Sequence, residues 1–479
     1  MNYSIIIYII GWILNLQAAF MTLPAVVGVI YQEKAGFAFL ASIAICLIIG
    51  IPLTRRKPTD RVFHIKEGYI TVALSWITLS ITGAFSFMLS GSIRDPVDAL
   101  FETVSGFTTT GASILADVEA LPHCVLFWRS FTHWIGGMGV LVFMLCLLPL
   151  TGGYHMNLMK AESPGPSVSR FVPKVQSTAK ILYSIYISLT FLQIIFLLIG
   201  KMPLFDTICT AFGTAGTGGF GIKNDSIAGY STYIQNVITV FMILFGINFN
   251  VYFLLLTGKI IQALKNEEIH YYLGIIAGSV IIIAFNIRNF CGSLGKAFQQ
   301  AAFQVGSIIT TTGFSTTDFN QWPVVSRTIL FMLMFIGACA GSTGGGIKVS
   351  RLVILCKTVR KELHLYLHPN AVKKIKMDGK TIPHETVRST NIFLVVYVLI
   401  FAISVLLIGF DNFDLTTNYT AVAATFNNIG PGLELVGPTH NFGLFSHLSK
   451  CVLVFDMLAG RLEIFPLLLL FVRDTWKKF

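Results

Sequence analysis

One short theme occurs four times in this chain: a small apolar segment that ends in a Thr- or Asn-rich turn and a glycine. The last glycines of the turns are separated by 108, 94 and 117 residues, and each turn lies between two long hydrophobic segments. A membrane protein that repeats a hairpin around a re-entrant segment four times is most simply one pore built from four quarters. The turns are Thr108-Thr109-Thr110-Gly111, Gly216-Thr217-Gly218-Gly219, Thr310-Thr311-Thr312-Gly313 and Asn427-Asn428-Ile429-Gly430.

The hydrophobic segments are long enough to cross a membrane. Hydrophobic residues make up 54% of the 479 and charged residues 12%, about half the charged share of a soluble domain. A spanning helix needs about 20 mostly apolar residues, whereas the segments before the turns have about 11–13, enough for half a bilayer as helices. We therefore predict re-entrant pore helices there, with short buried core helices as the alternative. The ten predicted spans are 4–30, 36–53, 69–90, 122–150, 179–200, 229–258, 272–290, 324–360, 389–410 and 444–472, and the pore helices are 96–107, 205–215, 297–309 and 416–426.

This pattern predicts an all-α polytopic membrane protein with four tandem helix–pore loop–helix repeats around one pore, preceded by an N-terminal transmembrane hairpin. The hairpin is expected at 1–54. The third repeat would contain a glycine-rich loop at 337–346. The predicted repeats are 69–150, 179–262, 272–365 and 389–472.

Lysine and arginine residues are concentrated in alternate loops. Segments 53–68, 151–180, 258–270, 351–388 and 473–479 hold 5, 4, 2, 9 and 3 of them, and the opposite loops hold far fewer. The positive-inside rule places such loops in the cytoplasm, so both termini are expected there and all four turns on the outer side. The first segment is too long for a signal-peptide core and lacks a basic region before it, so we expect a retained helix.

Composition also argues against several other kinds of site. The formal charge of +11 is assigned to topology and to contact with anionic lipid rather than to nucleic acid. The eight cysteines include no CxxC pair and lie mostly inside the spans, which is typical of buried small hydrophobic residues rather than a disulfide framework or metal site. We predict no cofactor and no enzymatic activity.

The first repeat shows why the turn is predicted to bind an ion. Asp95 is a good N-cap and Pro96 suits the first helical position, so the short helix would start near the outer surface and run inward. Its C-terminal end, where the helix dipole is negative, would then favour a cation. Non-helical backbone at this depth is tolerated where it lines a wet cavity, and glycine lets its carbonyls turn toward the axis. Carbonyls without an acidic ring favour potassium, with rubidium and to some extent sodium tolerated.

The chain resembles the TrkH/TrkG/KtrB superfamily of potassium-uptake proteins, over essentially its whole length. The residues that carry the resemblance are the four turns, Gly136-Gly137-Met138-Gly139, the run from Gly341 to Gly346, and Gly460-Arg461-Leu462-Glu463. The extra hairpin ahead of the first repeat is more similar to the TrkH branch than to KtrB. The resemblance implies one filter glycine in each repeat, namely Gly111, Gly219, Gly313 and Gly430.

The sequence departs from the family pattern in two repeats, and the resemblance implies partners. Repeat two carries the additional glycines Gly216 and Gly218, and repeat four has Asn427-Asn428 in place of threonines. The resemblance also implies a ring of TrkA-like cytosolic subunits that bind nucleotide, docked on the basic loop 356–388. Two copies of this chain, a homodimer, would share one ring. The implied location is the bacterial plasma membrane.

A gate is predicted in the third repeat. Five glycines fall within ten residues of the segment 321–365, and each glycine costs roughly 1 kcal/mol in a helix, so the helix should break there. The resemblance identifies this break as an intramembrane gating loop below the filter. Arg461, a charge inside the last span, is expected to contact carbonyls of the loop, or Glu463 or Asp456, with a purely structural role as the alternative. The predicted gate residues are Gly337, Ala338, Gly341, Ser342, Thr343, Gly344, Gly345, Gly346 and Arg461.

Three alternatives remain open at this point. The same fold could serve as a sodium-dependent Ktr-type subunit, which the N-terminal hairpin disfavours. A secondary transporter of an organic solute would place a charged midplane site between inverted repeats, which four same-sense units with neutral turns disfavour. An intramembrane hydrolase would need a nucleophile beside a base, for which His133 near Ser130 is the single hint.

Overall fold

The computed structural model describes residues 1–56, 58, 64–139 and 175–477, with the side chains of the last stretch described from residue 179. These ranges are almost entirely helical, apart from short 3-10 turns, loops and a small antiparallel ribbon of β1 (Lys376–Met377) and β2 (Lys380–Thr381). The end of the predicted fourth span, 140–150, lies outside the described residues, as do residues 57 and 59–63 of one basic segment and residues 151–174 of another.

Long apolar helices account for six of the predicted spans. They are long and apolar enough to cross a membrane, and they carry many exposed hydrophobic side chains as a lipid-facing surface requires. The helices are α1 (Tyr3–Ile30), α2 (Gly36–Arg55), α3 (Ile65–Leu89), α6 (Val175–Ile199), α11 (Glu267–Cys291) and α15 (His384–Ile408).

Four short helices lie where the sequence predicts pore helices. In the first, the side chain of Asp95 accepts hydrogen bonds from the backbone N–H groups of Val97 (2.9 Å) and Asp98 (3.1 Å), so the predicted N-cap is confirmed. Asp414 caps the fourth in the same way, through the N–H of Thr417. The short helices are α4 (Pro96–Phe107), α7 (Leu204–Ala215), α12 (Leu294–Ile309) and α16 (Leu415–Phe426).

The prediction of a continuous second span is wrong in repeats two and four, whereas the predicted break in repeat three is confirmed. Residues 229–258 form α8 (Thr232–Phe245) and α9 (Phe249–Leu256), which are bent by 89°. Residues 324–360 are divided by a loop into α13 (Val324–Met334) and α14 (Val349–Leu367), and 444–472 into α17 (His447–Arg461) and the short α18 (Phe465–Leu468). In the first repeat, α5 (His123–Gly137) ends at Gly137, two residues before this described stretch ends at residue 139. The remaining short helix is α10 (Ile260–Leu264).

Near the ends of α5, α8 and α17, a glycine lies close to the end of a short helix or to its turn. A Cβ on Gly136 would come within 3.0 Å of the carbonyl oxygen of Phe107, and one on Gly460 within 3.0 Å of that of Phe426. Gly246, which follows α8, lies beside the Thr310 side chain and the Tyr272 hydroxyl. Glycine permits this close approach and ends the helix at the same time.

Loops on the turn side join neighbouring repeats into a closed ring. Hydrogen bonds link each of the four pairs of neighbouring repeats, including the pair formed by the last repeat and the first. The bonds are Asn224 Nδ2 to Asp117 Oδ1 (2.8 Å), Ile227 N to Ser315 O (3.0 Å), Glu434 N to Asn320 Oδ1 (3.1 Å) and Phe442 N to Ser113 O (2.8 Å).

The two ends of the chain lie together on the opposite side. The hydroxyl of Tyr3 donates to the carbonyl of Trp476 (2.9 Å), and the two rings are stacked. Lys66 donates to the carbonyl of Lys477 (3.2 Å). Both termini therefore lie on one face of the helical bundle.

Candidate ion filter and intramembrane loop

All four turns leave their short helices in the same way. In each, a backbone N–H in the turn donates to the carbonyl five residues earlier, so the turn continues the last helical turn as a C-cap of the Schellman type. The four C-terminal ends, with their partly negative carbonyls, are held at equivalent positions. The bonds are Thr110 N to Ser105 O (2.9 Å), Gly218 N to Gly213 O (2.9 Å), Thr312 N to Ser307 O (2.8 Å) and Ile429 N to Ala424 O (2.8 Å).

Each turn carries positive φ angles at alternate residues. Thr109 has φ +57° and Gly111 has φ +78°. Thr108, the first residue of the turn, has backbone angles in the right-handed helical region. Alternation of this kind turns successive carbonyls toward the same side of the strand, and the final position strongly favours glycine. The same pattern occurs at Thr217 (+53°) and Gly219 (+75°), Thr311 (+58°) and Gly313 (+84°), and Asn428 (+54°) and Gly430 (+101°).

The last glycine of each turn touches the backbone of the next repeat. A Cβ on any of the four would come within 3.0 Å of a carbonyl oxygen, closer than a side chain can approach. The contacts run once around the molecule and close on the first repeat, so the carbonyls form one ring. The pairs are Gly111 with Gly218 O, Gly219 with Thr312 O, Gly313 with Ile429 O, and Gly430 with Thr110 O.

The side chains of the turns are buried, and among their threonines and asparagines only Thr109 makes no side-chain hydrogen bond within the described part of the chain. The hydroxyls of Thr108 and Thr110 are 2.8 Å apart, and those of Thr310 and Thr312 are 2.7 Å apart. Repeat four has an asparagine, Asn428, that bonds to another repeat. Its Nδ2 donates to Thr110 Oγ1 of the first repeat (2.9 Å) and to the carbonyl of Met457 in its own repeat (2.9 Å). The turn residues of the fourth repeat therefore connect it to the first repeat.

A buried ion pair, which the sequence analysis missed, fixes the first turn. Arg129 on α5 contacts Glu102 on α4 at 2.8 Å, and both side chains are at most 2% exposed. Glu102 also accepts from Ser113 Oγ (3.0 Å) and the N–H of Ile114 (3.0 Å), which follow Gly111. The pair therefore connects the pore helix, the second helix and the segment that leaves the filter.

The glycine-rich segment is a loop between α13 and α14, as predicted, and it lies directly against the turns. The N–H of Gly345 donates to Thr311 Oγ1 (2.6 Å). A Cβ on Gly344 would lie 3.0 Å from the carbonyl oxygen of Thr310, and one on Gly345 2.6 Å from that of Asn427. The loop thus covers the end of the turns that faces away from the loops joining neighbouring repeats.

Hydrogen bonds close the glycine-rich loop on itself and attach it to the end of α8. Gly337 N donates to Ile347 O (2.8 Å), Cys339 N to Gly246 O (3.1 Å) and Thr343 Oγ1 to Phe245 O (3.2 Å). Glu268 at the start of α11 accepts from the N–H groups of Ala340 (2.7 Å) and Ser350 (3.0 Å). The break between α8 and α9 therefore supplies the groups on which the loop rests. A cavity below the loop is lined by Gly341, Ser342, Gly346, Trp76, Phe249 and Met138, among others.

Arg461 makes one of the contacts that the sequence predicts. Its guanidinium donates to the loop carbonyl of Thr343 (2.9 Å) and to the carbonyls of Gly136 and Gly137 at the end of α5. The two acidic alternatives have other partners, since Glu463 pairs with Arg351 and Asp456 accepts from Ser404 Oγ (2.7 Å). Arg461 therefore connects the last repeat, the loop and the first repeat.

The hint of a hydrolytic pair is not supported by the geometry. Neither ring nitrogen of the buried His133 has a hydrogen-bond partner among the residues that the structure describes, and its ring stacks on Phe220 at 4.3 Å. A Cβ on Gly218 would meet the His133 ring within 3.0 Å. His133 thus packs behind the second turn and does not form a hydrogen bond with Ser130.

Comparison with known proteins decides the family. The family model of TrkH, a cation transport protein, matches residues 35–277 and 292–478. This chain belongs to the TrkH family. The predicted resemblance is therefore confirmed.

Named relatives of this TrkH-family chain align along its full length. It is 37% identical to the Trk system potassium uptake protein TrkH of Salmonella typhimurium and 36% identical to that of Escherichia coli K12, with 100% of both chains covered in each case. The Trk system potassium uptake protein TrkG of E. coli K12 is 32% identical, over 99% of this chain and 98% of the relative. The crystal structure of the potassium transporter TrkH from Vibrio parahaemolyticus superposes with a TM-score of 0.89 at 32% identity, covering 100% of both chains.

Proposed function

We propose that this chain is the ion-conducting membrane subunit of a bacterial potassium-uptake system. The observation that carries the proposal is the closed ring in which each turn's last glycine meets a carbonyl of the next repeat. Relatives named as potassium uptake proteins match the chain over its full length. In this proposal the four quarters are the repeats 69–150, 179–262, 272–365 and 389–472.

Backbone carbonyls of the four turns would replace water around the ion. They are neutral, so they favour a large, weakly hydrated monovalent cation such as K⁺. The negative ends of the four short helices add to this preference. An inside-negative membrane potential contributes about 2.3 kcal/mol per charge per 100 mV, so K⁺ would accumulate inside without any cofactor in this chain.

The proposed orientation places both termini and the basic loops in the cytoplasm. It is supported by the contact between Tyr3 and Trp476, which brings the termini to one face, and by the lysines and arginines of 351–388. That basic segment is the proposed docking surface for a cytosolic, nucleotide-binding regulatory subunit, with two copies of this chain on one regulatory ring.

The loop 337–346 is the proposed gate, with Arg461 holding it shut. We expect Arg461→Gln to raise basal ion leak, because each hydrogen bond from a charged donor contributes about 1.5–3 kcal/mol. Losing one such bond shifts a closed–open equilibrium by roughly 10- to 100-fold. Basal rubidium influx into proteoliposomes measures the effect, with Arg360→Gln, an exposed arginine on α14, as the control. Equal leak in both variants would refute the role of Arg461.

Rubidium-86 influx tests the proposed function as a whole. The purified chain is reconstituted in proteoliposomes under an inside-negative potential, with unlabelled potassium, sodium and lithium as competitors. We expect saturable influx that potassium blocks best, either with the chain alone or after its cytosolic partner is added. No influx under either condition contradicts the proposal and favours transport of another solute.

A further inference from the structure

Lys348 is a buried cation at the end of the glycine-rich loop. Its side chain is 2% exposed, and its ammonium donates to the carbonyls of Gly344 and Gly345, the second at 3.1 Å. Within the described part of the chain, no carboxylate forms an ion pair with this ammonium. The nearby carboxylate of Glu463 pairs with Arg351 instead. Neutral backbone oxygens therefore hold this monovalent cation.

The two carbonyls belong to the residues that touch the ion filter. Gly345 donates its N–H to Thr311 Oγ1 (2.6 Å), and Gly344 lies against the carbonyl of Thr310. The ammonium thus lies immediately below the filter, on the side of the inner cavity that Lys348, Glu463 and Arg461 line together.

We infer that the carbonyls of Gly344 and Gly345 form a further monovalent-cation site, filled by the ammonium of Lys348 when the pore is closed and by K⁺ when the lysine withdraws. The inference rests on the proposed function, because it places the site on the same conduction path. It assigns to Lys348 the role of a tethered competitor of the transported ion.

The chemistry of the two cations supports this exchange. An ammonium and K⁺ are both monovalent and both bind to neutral carbonyls, and two positive charges cannot share one small, weakly screened site. The lysine stem is long and flexible, so the ammonium can leave toward Glu463 in the inner cavity without a change in the backbone. Arg461 binds a neighbouring loop carbonyl, that of Thr343, so the two cations would close the loop together.

Lys348→Met tests the inference by removing the charge while keeping most of the volume. We expect basal rubidium influx without the cytosolic partner to rise by at least about tenfold, because losing even one of the two charge-assisted hydrogen bonds from the closed state produces that change. Lys348→Arg should stay near the wild-type rate. Lys265→Met, an exposed lysine that follows α10, is the control. Equal influx in Lys348→Met and Lys265→Met would overturn the inference.

Rubidium anomalous scattering provides a readout that a merely structural role would not change. In crystals of Lys348→Met soaked in rubidium, we expect a peak at the carbonyls of Gly344 and Gly345 that is absent from wild-type crystals. No peak in the variant, or an equal peak in both proteins, would overturn the inference. If Lys348→Met does not elute as a folded species, Lys348→Gln replaces it in both measurements. Wild-type protein that passes no rubidium even with its partner contradicts the conduction proposal, while the anomalous peak still decides the site.

Discussion

Replacing Gly313 with serine should abolish potassium uptake while leaving the protein in the membrane. A side chain at this position would come within 3.0 Å of the carbonyl oxygen of Ile429, which belongs to the next repeat and cannot move without distorting the ring. The residue also has φ +84°, a region that costs a non-glycine residue about 1–2 kcal/mol. If clash and strain together cost about 3 kcal/mol at the ion path, transport falls by roughly 100-fold.

Gly292→Ser is the matched control for this experiment. Gly292 follows α11 with φ +72°, so serine there meets similar backbone strain. Apart from its chain neighbours, no atom of the described residues lies within 4 Å of its Cβ position. Uptake by cells that depend on this protein for potassium, together with rubidium influx and sodium competition, separates the two variants. Unchanged uptake and selectivity in Gly313→Ser would show that the ring of carbonyls is not the ion path.

Arg129→Met should cause the largest loss of stability among single changes near the filter. The substitution leaves Glu102 buried without its cation, and breaking a buried pair from one side costs about 3–5 kcal/mol. The effect should reach the filter, because Glu102 also holds Ser113 and Ile114, just after Gly111. Thermal unfolding in detergent measures the change.

The surface variant Arg327→Met shows what an exposed pair contributes. Arg327 contacts Glu434 at 3.2 Å, and the two side chains are 29% and 46% exposed, so its loss should cost about 0–1 kcal/mol. The double variant Glu102→Gln, Arg129→Met should recover part of the loss, because the unpaired buried charge is then absent. If Arg129→Met and Arg327→Met unfold at the same temperature, the buried pair does not stabilise the fold.

Local sequence patterns predict the short helices and the turns well. Asp95 is the N-cap of α4 and Pro96 is its first residue, as the sequence predicts. The glycine that ends each turn has the positive φ that glycine favours. The break at 337–346 was predictable for the same reason, since five glycines disfavour a helix wherever they lie. The assignment of conduction and gating roles to these residues stays a prediction.

Contacts between distant segments explain what the sequence analysis missed. Arg129 and Glu102 are 27 residues apart, and nothing local distinguishes them from a solvated pair. Gly246 and Gly460, near the ends of α8 and α17, lie against Thr310 and Phe426, which are distant in sequence and are brought close only in the assembled fold. Lys348 follows the glycine run in sequence, but its carbonyl partners are fixed by the folded loop.

The link between Asn428 and Thr110 joins residues that are 318 positions apart. Because it completes the ring, the last wall of the filter is absent until the ribosome has made nearly the entire polypeptide. Closing so long a stretch of chain is also a late and slow event in folding. A nascent or prematurely terminated chain that lacks the fourth turn therefore cannot close the ring of turns.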